Sequence, residues 1–272
     1  MREQDYPPQE PMSAMAAPYR EACIARSFGV PFHEFRYGGD PYQSVAVYPA
    51  ETPGGILFAF VHGGGWTGGY KEWMGFMAPG LASRGVTFAS IGYRLAPQHL
   101  FPAGLEDVAA GIAAVVKERA GGAAPRLFIG GHSAGGHYTA LLAVRRDWQA
   151  RHGLPADVVQ GCLPISGGYR FGEGSGLSMK PRFLGAAADN ERQASPVLNI
   201  DGTPPPFLLA HGDQDFPHLM HQAEEMETGL RAAGGSVARI VLPGCDHFAA
   251  SLTAGDPDGP WLPKAAAWMK AA

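Results

Sequence analysis

Ser133 sits at the centre of Gly131-His132-Ser133-Ala134-Gly135, just after an apolar run of strand length at 126–130 and just before 136–144, which reads as helix. A serine on so sharp a strand-to-helix turn, a nucleophile elbow, is held in a strained backbone conformation. The glycines two positions either side let neighbouring chain pass where a Cβ would clash. Such a turn lifts the hydroxyl clear of a sheet edge and sets it beside the free N–H groups that open the next helix. The arrangement suits attack on a carbonyl, with backbone donors stabilising the charge that develops on its oxygen.

A chain with 38 Gly in 272 residues produces Gly-x-Ser-x-Gly by chance, so the reading depends on companions elsewhere. The first is His62-Gly63-Gly64-Gly65-Trp66, which follows 55–61, the most hydrophobic strand candidate. Glycines in succession after a buried strand mean close backbone approach to something. An oxyanion needs two or three N–H donors about 2.7–3.1 Å away with no side chains in between.

An acid and a base are expected after the serine, in that order. The segment 205–210 reads as a late strand with Gly212-Asp213-Gln214-Asp215 at its carboxyl end, and 236–242 reads as the last strand, followed by Gly244-Cys245-Asp246-His247-Phe248. His62, His132, His137 and His211 lie near strand ends, where loop hydrogen bonding accounts for them; His247 follows the last strand and is the candidate base. Asp215, one turn past its strand with Phe216-Pro217 behind it, is favoured as the acid. Asp213 stays an alternative, and so does Asp246, although a side chain adjacent to the base usually points away from it.

To bring these residues together the chain needs a scaffold with one functional edge. Strand candidates recur at 33–38, 44–49, 55–61, 86–92, 126–131, 157–165, 205–210 and 236–242, with helical patterns between most of them, including 105–119 and 220–233. This alternation predicts an α/β architecture: a mostly parallel eight-stranded sheet with helices on both faces, opened by an antiparallel hairpin. All the candidate residues fall at its carboxyl edge. Residues 1–272 read as a single domain, with 1–30 as a helical arm over the site and 167–199 as a short lid, a loop containing a short helix.

These motifs, with Tyr93-Arg94-Leu95-Ala96-Pro97, Phe101-Pro102-Ala103 and Asp107, span most of residues 55 to 250. Taken together they resemble the α/β-hydrolase superfamily, and within it both the esterases and lipases similar to hormone-sensitive lipase and the bacterial hydrolases similar to kynurenine formamidase. The resemblance implies an α/β-hydrolase fold with Ser133 as nucleophile, Asp215 as acid and His247 as base, and an oxyanion hole from the N–H groups of Gly64, Gly65 and Ala134. The lipase-like branch usually carries Asp where this chain has His132, which turns the expectation away from lipid substrates. Formamidase relatives often carry Tyr in place of Gly65.

The short lid leaves little apolar cover for a long acyl chain, so short or aromatic acyl groups, or a formyl group, fit best. Pocket walls are expected from Trp66, His132, Tyr169 and Phe248, with Trp73, Met74, Phe76 and Met77 on a helix nearby. The implied activity is a carboxylesterase-like serine hydrolase cleaving small or aromatic esters through an acyl-enzyme. The alternatives are an aryl formamidase or amidase and, from a different class, a ligand receptor on the same fold. No cofactor and no metal is called for, since no His/Cys spacing suggests a zinc site.

With 46% hydrophobic residues the chain can bury a large core, and a net charge of −4 without any Lys/Arg run points away from nucleic acid and anionic membranes. Cys23, Cys162 and Cys245 are odd in number and widely spaced, which argues against a disulfide framework. The first residues have no apolar h-region and no stretch reaches transmembrane length, so the expected location is cytoplasmic. The expected partner is a small-molecule ester or formamide, and a homodimer is compatible with the chain. Arg94 and Asp107 are expected to form a structural ion pair, and Cys245 to fill buried space.

Overall fold

Alternation of apolar strands with helices builds one sheet in the computed structural model, which describes residues 3–119 and 125–272. Its strands are β1 (His33–Arg36), β2 (Ser44–Tyr48), β3 (Ile56–Val61), β4 (Val86–Ile91), β5 (Arg126–His132), β6 (Val159–Ile165), β7 (Phe207–Gly212) and β8 (Val237–Leu242). They lie in the order β1-β2-β4-β3-β5-β6-β7-β8. The pairs β1–β2 and β2–β4 are antiparallel, and every pairing from β4–β3 to β7–β8 is parallel. The eight strands agree with the sequence expectation to within a few residues at their ends. The exchange of β3 and β4 in the order was not visible beforehand, because it is settled by which faces pack.

The helices are α1 (Ala17–Ser27), α2 (Ala78–Ala82), α3 (Ala103–Glu118), α4 (Ala134–Val144), α5 (Asn190–Ala194), α6 (Pro217–Ala232), α7 (His247–Leu252) and α8 (Leu262–Ala271). Strand periodicity divides the core in two. In β3, Leu57, Ala59 and Val61 face a cluster that includes Val108 and Ile112 of α3 and Leu141 of α4. Ile56, Phe58 and Phe60 face the opposite cluster, which includes Cys23 of α1, Leu81 of α2 and Met269 of α8. Both faces of the central strands are therefore dry, which explains why they read as continuous apolar runs.

Register fixes the functional edge. Val61 lies opposite Gly131, so the glycine loop after β3 and the serine turn after β5 leave the sheet side by side. Gly212 lies opposite Leu242, so the loops carrying Asp215 and His247 do the same on the far side. Bonds from Asp213 N–H to Leu242 C=O at 3.1 Å and from Gln214 N–H to Cys245 C=O at 3.0 Å hold those two loops together.

Candidate active site

Ser133 adopts φ 53°, ψ −116°, a conformation non-glycine residues rarely take. Its neighbours explain how the turn closes. A Cβ on Gly135 would stand 2.0 Å from the carbonyl oxygen of Val61, and one on Gly131 would stand 2.3 Å from the carbonyl carbon of Gly135. Only glycine lets the first turn of α4 sit this close to β3 and to its own approach strand. The Ser133 amide is fastened to Ile165 C=O at 2.9 Å, tying the turn to the end of β6.

The structure brings Ser133, His247 and Asp215 into a line. Ser133 Oγ is 3.0 Å from His247 Nε2, and His247 Nδ1 is 2.9 Å from Asp215 Oδ1. An ionised carboxylate only accepts, so Nδ1 carries the imidazole hydrogen and Nε2 is left bare to accept from the serine hydroxyl. Burial alone would raise the Asp215 carboxyl. The hydrogen bond and charge of His247, the Ser166 hydroxyl and the Phe216 amide outweigh it and pull the carboxyl down to about 2. The Phe216 N–H reaches Oδ1 at 2.7 Å, and Ser166 Oγ donates to Oδ2. Phe216 also packs against the His247 ring, with centroids 4.8 Å apart.

The other two candidate carboxylates have different partners. Asp213 accepts from Gly244 N–H at 2.8 Å at the surface, and Asp246 caps α7 by accepting from the Phe248 and Ala249 amides at 3.0 and 2.8 Å. Ser166 was missed by sequence reasoning. The signal in the sequence was slight, a serine straight after a strand and before two glycines, Ser166-Gly167-Gly168; in the structure it shares the positive φ of Ser133, 53°.

Gly64 and Gly65 have φ of +126° and +59°, and a Cβ on Gly64 would stand 2.0 Å from Gly68 C=O. This tight turn lines the same cavity as Ser133, and Ala134 opens α4 directly behind the serine. Trp66 anchors the loop from below. Its Nε1–H donates to His137 Nδ1 at 3.0 Å, His137 Nε2 donates in turn to Ala194 C=O at 2.7 Å, and the indole stacks on Phe183 at 4.6 Å. Burial holds the His137 ring down at about 4, so at neutral pH its Nδ1 is free to accept.

His132 ties the arm to the backbone of His247. Its Nε2 donates to the backbone carbonyl of His247 at 3.0 Å, which leaves Nδ1 to accept from Tyr19 OH at 3.4 Å; Tyr19 is also 2.8 Å from Ser251 Oγ. Burial and the neighbouring charge of His247 keep the His132 ring down at about 3, hence neutral. Burial likewise holds His62 down at about 4.

A cavity of about 430 Å³ opens over Ser133. Its walls come from the glycine loop, from 9–19 of the arm, from Gly168, Leu177, Met179 and Arg182 of the 167–199 segment, and from Phe216, His218, Leu219 and Phe248. The arm is fastened at its near end. Tyr6 OH donates to Glu72 at 2.7 Å and accepts from the buried Lys71 Nζ at 2.6 Å, while Gln9 bonds Gly69 N–H and C=O at 2.8 and 2.9 Å.

Among the expected walls, Trp66, Trp73, His132 and Phe248 line the cavity. Tyr169 does not. It turns away beneath the Gly167 backbone into the core cluster, and its amide is held by Gln222 Oε1 at 2.6 Å. Met74, Phe76 and Met77 are core too, and their segment, Lys71–Met77, is a 3₁₀ rather than an α-helix. Arg94 and Asp107 pair through both guanidinium and amide donors at 2.8–2.9 Å. Cys23, Cys162 and Cys245 are free and buried. Among the described residues no helix is long and apolar enough to cross a membrane.

A family model described as alpha/beta hydrolase fold matches residues 58–251. Esterase LipC of Mycobacterium tuberculosis is 31% identical over 233 residues, covering 78% of this chain and 58% of that protein. Kynurenine formamidase of Salmo salar is 26% identical over 224 residues, covering 78% and 73%. The chain thus spans less than two thirds of the first relative's length. Among solved structures, a hormone-sensitive lipase from a metagenome library superposes with a TM-score of 0.73 at 22% identity, over 98% of this chain and 93% of that one, a likeness of fold.

Proposed function

This chain belongs to the alpha/beta hydrolase fold family, and from that footing we propose that it is a serine hydrolase of small or aromatic carboxylic esters. One observation carries the reading: three side chains from separate loops stand in relay, Ser133 Oγ to His247 Nε2 at 3.0 Å and His247 Nδ1 to Asp215 Oδ1 at 2.9 Å. In this mechanism neutral His247 takes the hydroxyl proton as Ser133 attacks the ester carbonyl, and Asp215 holds the ring and stabilises the imidazolium. The N–H groups of Gly64, Gly65 and Ala134 bind the oxyanion, each donor of this kind being worth ~10²–10³ in rate. His247 then protonates the departing alcohol, and water activated by the same ring releases the acid and restores the serine.

Aryl formamide hydrolysis is the second reading. It is favoured by the match to kynurenine formamidase and by His132 in place of the aspartate usual in the lipase-like branch. Comparing turnover of p-nitrophenyl acetate with that of N-formylkynurenine separates the two. Ser133→Ala should abolish both turnover and stoichiometric labelling by a fluorophosphonate while leaving the thermal midpoint in place. Retained hydrolysis would identify another nucleophile, and an unlabelled wild-type protein would favour a receptor.

A further inference from the structure

Among the described residues that line the cavity, two carry a permanent charge, and they come from the two segments that roof it: Glu10 from the arm and Arg182 from 167–199. Arg182 Nε donates to Glu10 Oε2 at 2.6 Å, Nη2 reaches the same oxygen, and Nη2 also lies 3.3 Å from Thr67 Oγ1. Thr67 follows Trp66 in the loop that carries Gly64 and Gly65, so the guanidinium is braced against the loop beside the serine. Its counter-ion, by contrast, rides on residues 10–16, which cross the mouth between fixed points at Gln9 and Tyr19. No other described residue of the lining is a carboxylate, a lysine or an arginine. A planar guanidinium in such a setting matches a carboxylate in shape and charge.

We propose that Arg182 is a recognition site for a substrate carboxylate, and that Glu10 occupies it in the free protein as a built-in stand-in. The inference deepens the hydrolase reading and rests on it: the preferred substrates are esters that also bear a free carboxylate. The Arg182 and Glu10 side chains are 52% and 29% exposed, so releasing Glu10 gives up little stability. An incoming carboxylate exchanges one ion pair for another while its apolar part fills the cavity below. Removing the Glu10 charge should therefore strengthen recognition, and removing Arg182 should erase it.

The test compares kcat/KM for phenyl acetate, which is neutral, with 4-acetoxybenzoate, anionic on the leaving side, and phenyl hydrogen succinate, anionic on the acyl side. For at least one anionic ester, Glu10→Gln should raise the anionic-to-neutral ratio by about five- to tenfold and Arg182→Met should lower it below wild type by a similar factor. The ester that responds tells which side of the scissile bond the carboxylate occupies. Unchanged ratios for both anionic esters, with phenyl acetate still hydrolysed, overturn the recognition site and leave the hydrolase reading intact. Calorimetric titration with benzoate reads the site without turnover. Glu10→Gln should bind it at least about fivefold tighter than Glu10→Gln/Arg182→Met, and equal binding overturns the proposal even if no ester is cleaved.

Discussion

Ser166 donates its hydroxyl hydrogen to Oδ2 of Asp215, while the Phe216 amide and the His247 ring both fall on Oδ1, so each oxygen of this buried carboxylate is occupied. Ser166→Ala leaves Oδ2 buried without that donor. The expected cost is roughly 1–3 kcal/mol of stability, read from urea midpoints, together with a fall in kcat as the carboxylate loses a constraint on its orientation. A variant as stable and as active as wild type would show that Ser166 is incidental.

Asp215→Asn replaces an acceptor with an amide that cannot hold the His247 tautomer, and kcat should drop by roughly 10³–10⁴-fold. Asp213→Asn keeps an oxygen for the Gly244 amide, so its activity should stay within about threefold of wild type, as expected for an exposed turn residue. Steady-state kinetics on both variants decide the matter, and the reverse ranking would move the proposed acid to Asp213.

Trp66→Phe keeps the ring that stacks on Phe183 but removes the N–H that His137 accepts. A buried imidazole nitrogen is then unpaired, at roughly 1–3 kcal/mol. The Gly64–Gly65 turn also loses the anchor one residue away. Thermal denaturation should show the loss, and kcat should fall more than KM rises. A change confined to KM would make Trp66 a wall and nothing more.

Three buried rings, His62, His132 and His137, are held down at about 4, 3 and 4. In the unfolded chain each takes a proton near its ordinary 6.5, so the neutral-ring fold is fully favoured above that value and loses stability progressively as pH falls toward 4. By pH 5 each ring accounts for a loss on the order of 1–2 kcal/mol. Urea midpoints should fall between pH 7 and pH 5, and calorimetric unfolding at pH 5 should take up at least about two protons beyond the buffer baseline. A flat stability profile across that interval contradicts the assignment.

The strands and the Ser133 turn were legible in the sequence because their signals are local: apolar runs, glycines at fixed offsets, and a serine between strand and helix. The spatial meeting of Ser133, Asp215 and His247 followed from one ordering rule applied to three strand ends. What escaped depends on contacts distant in sequence. Ser166 gains its meaning from a carboxylate 49 residues away, and Gln9 from a backbone 60 residues away. Tyr169 was misplaced because an aromatic after a strand end fits a wall or a core equally well until the Gly167 turn fixes which way it faces.

The groups that would break the bond and those that would choose the molecule hang from different parts of the polypeptide. Ser133, His247 and Asp215 ride on turns pinned by the sheet, where a Cβ on Gly135 would stand 2.0 Å from the Val61 carbonyl oxygen and one on Gly212 1.9 Å from that of Cys245. Much of the enclosing surface belongs to a stretch near residue 10 that is secured through a handful of side-chain tethers, with Met15 64% exposed. Substitutions there can redirect preference without disturbing reactivity, so selection has an independent dial for each.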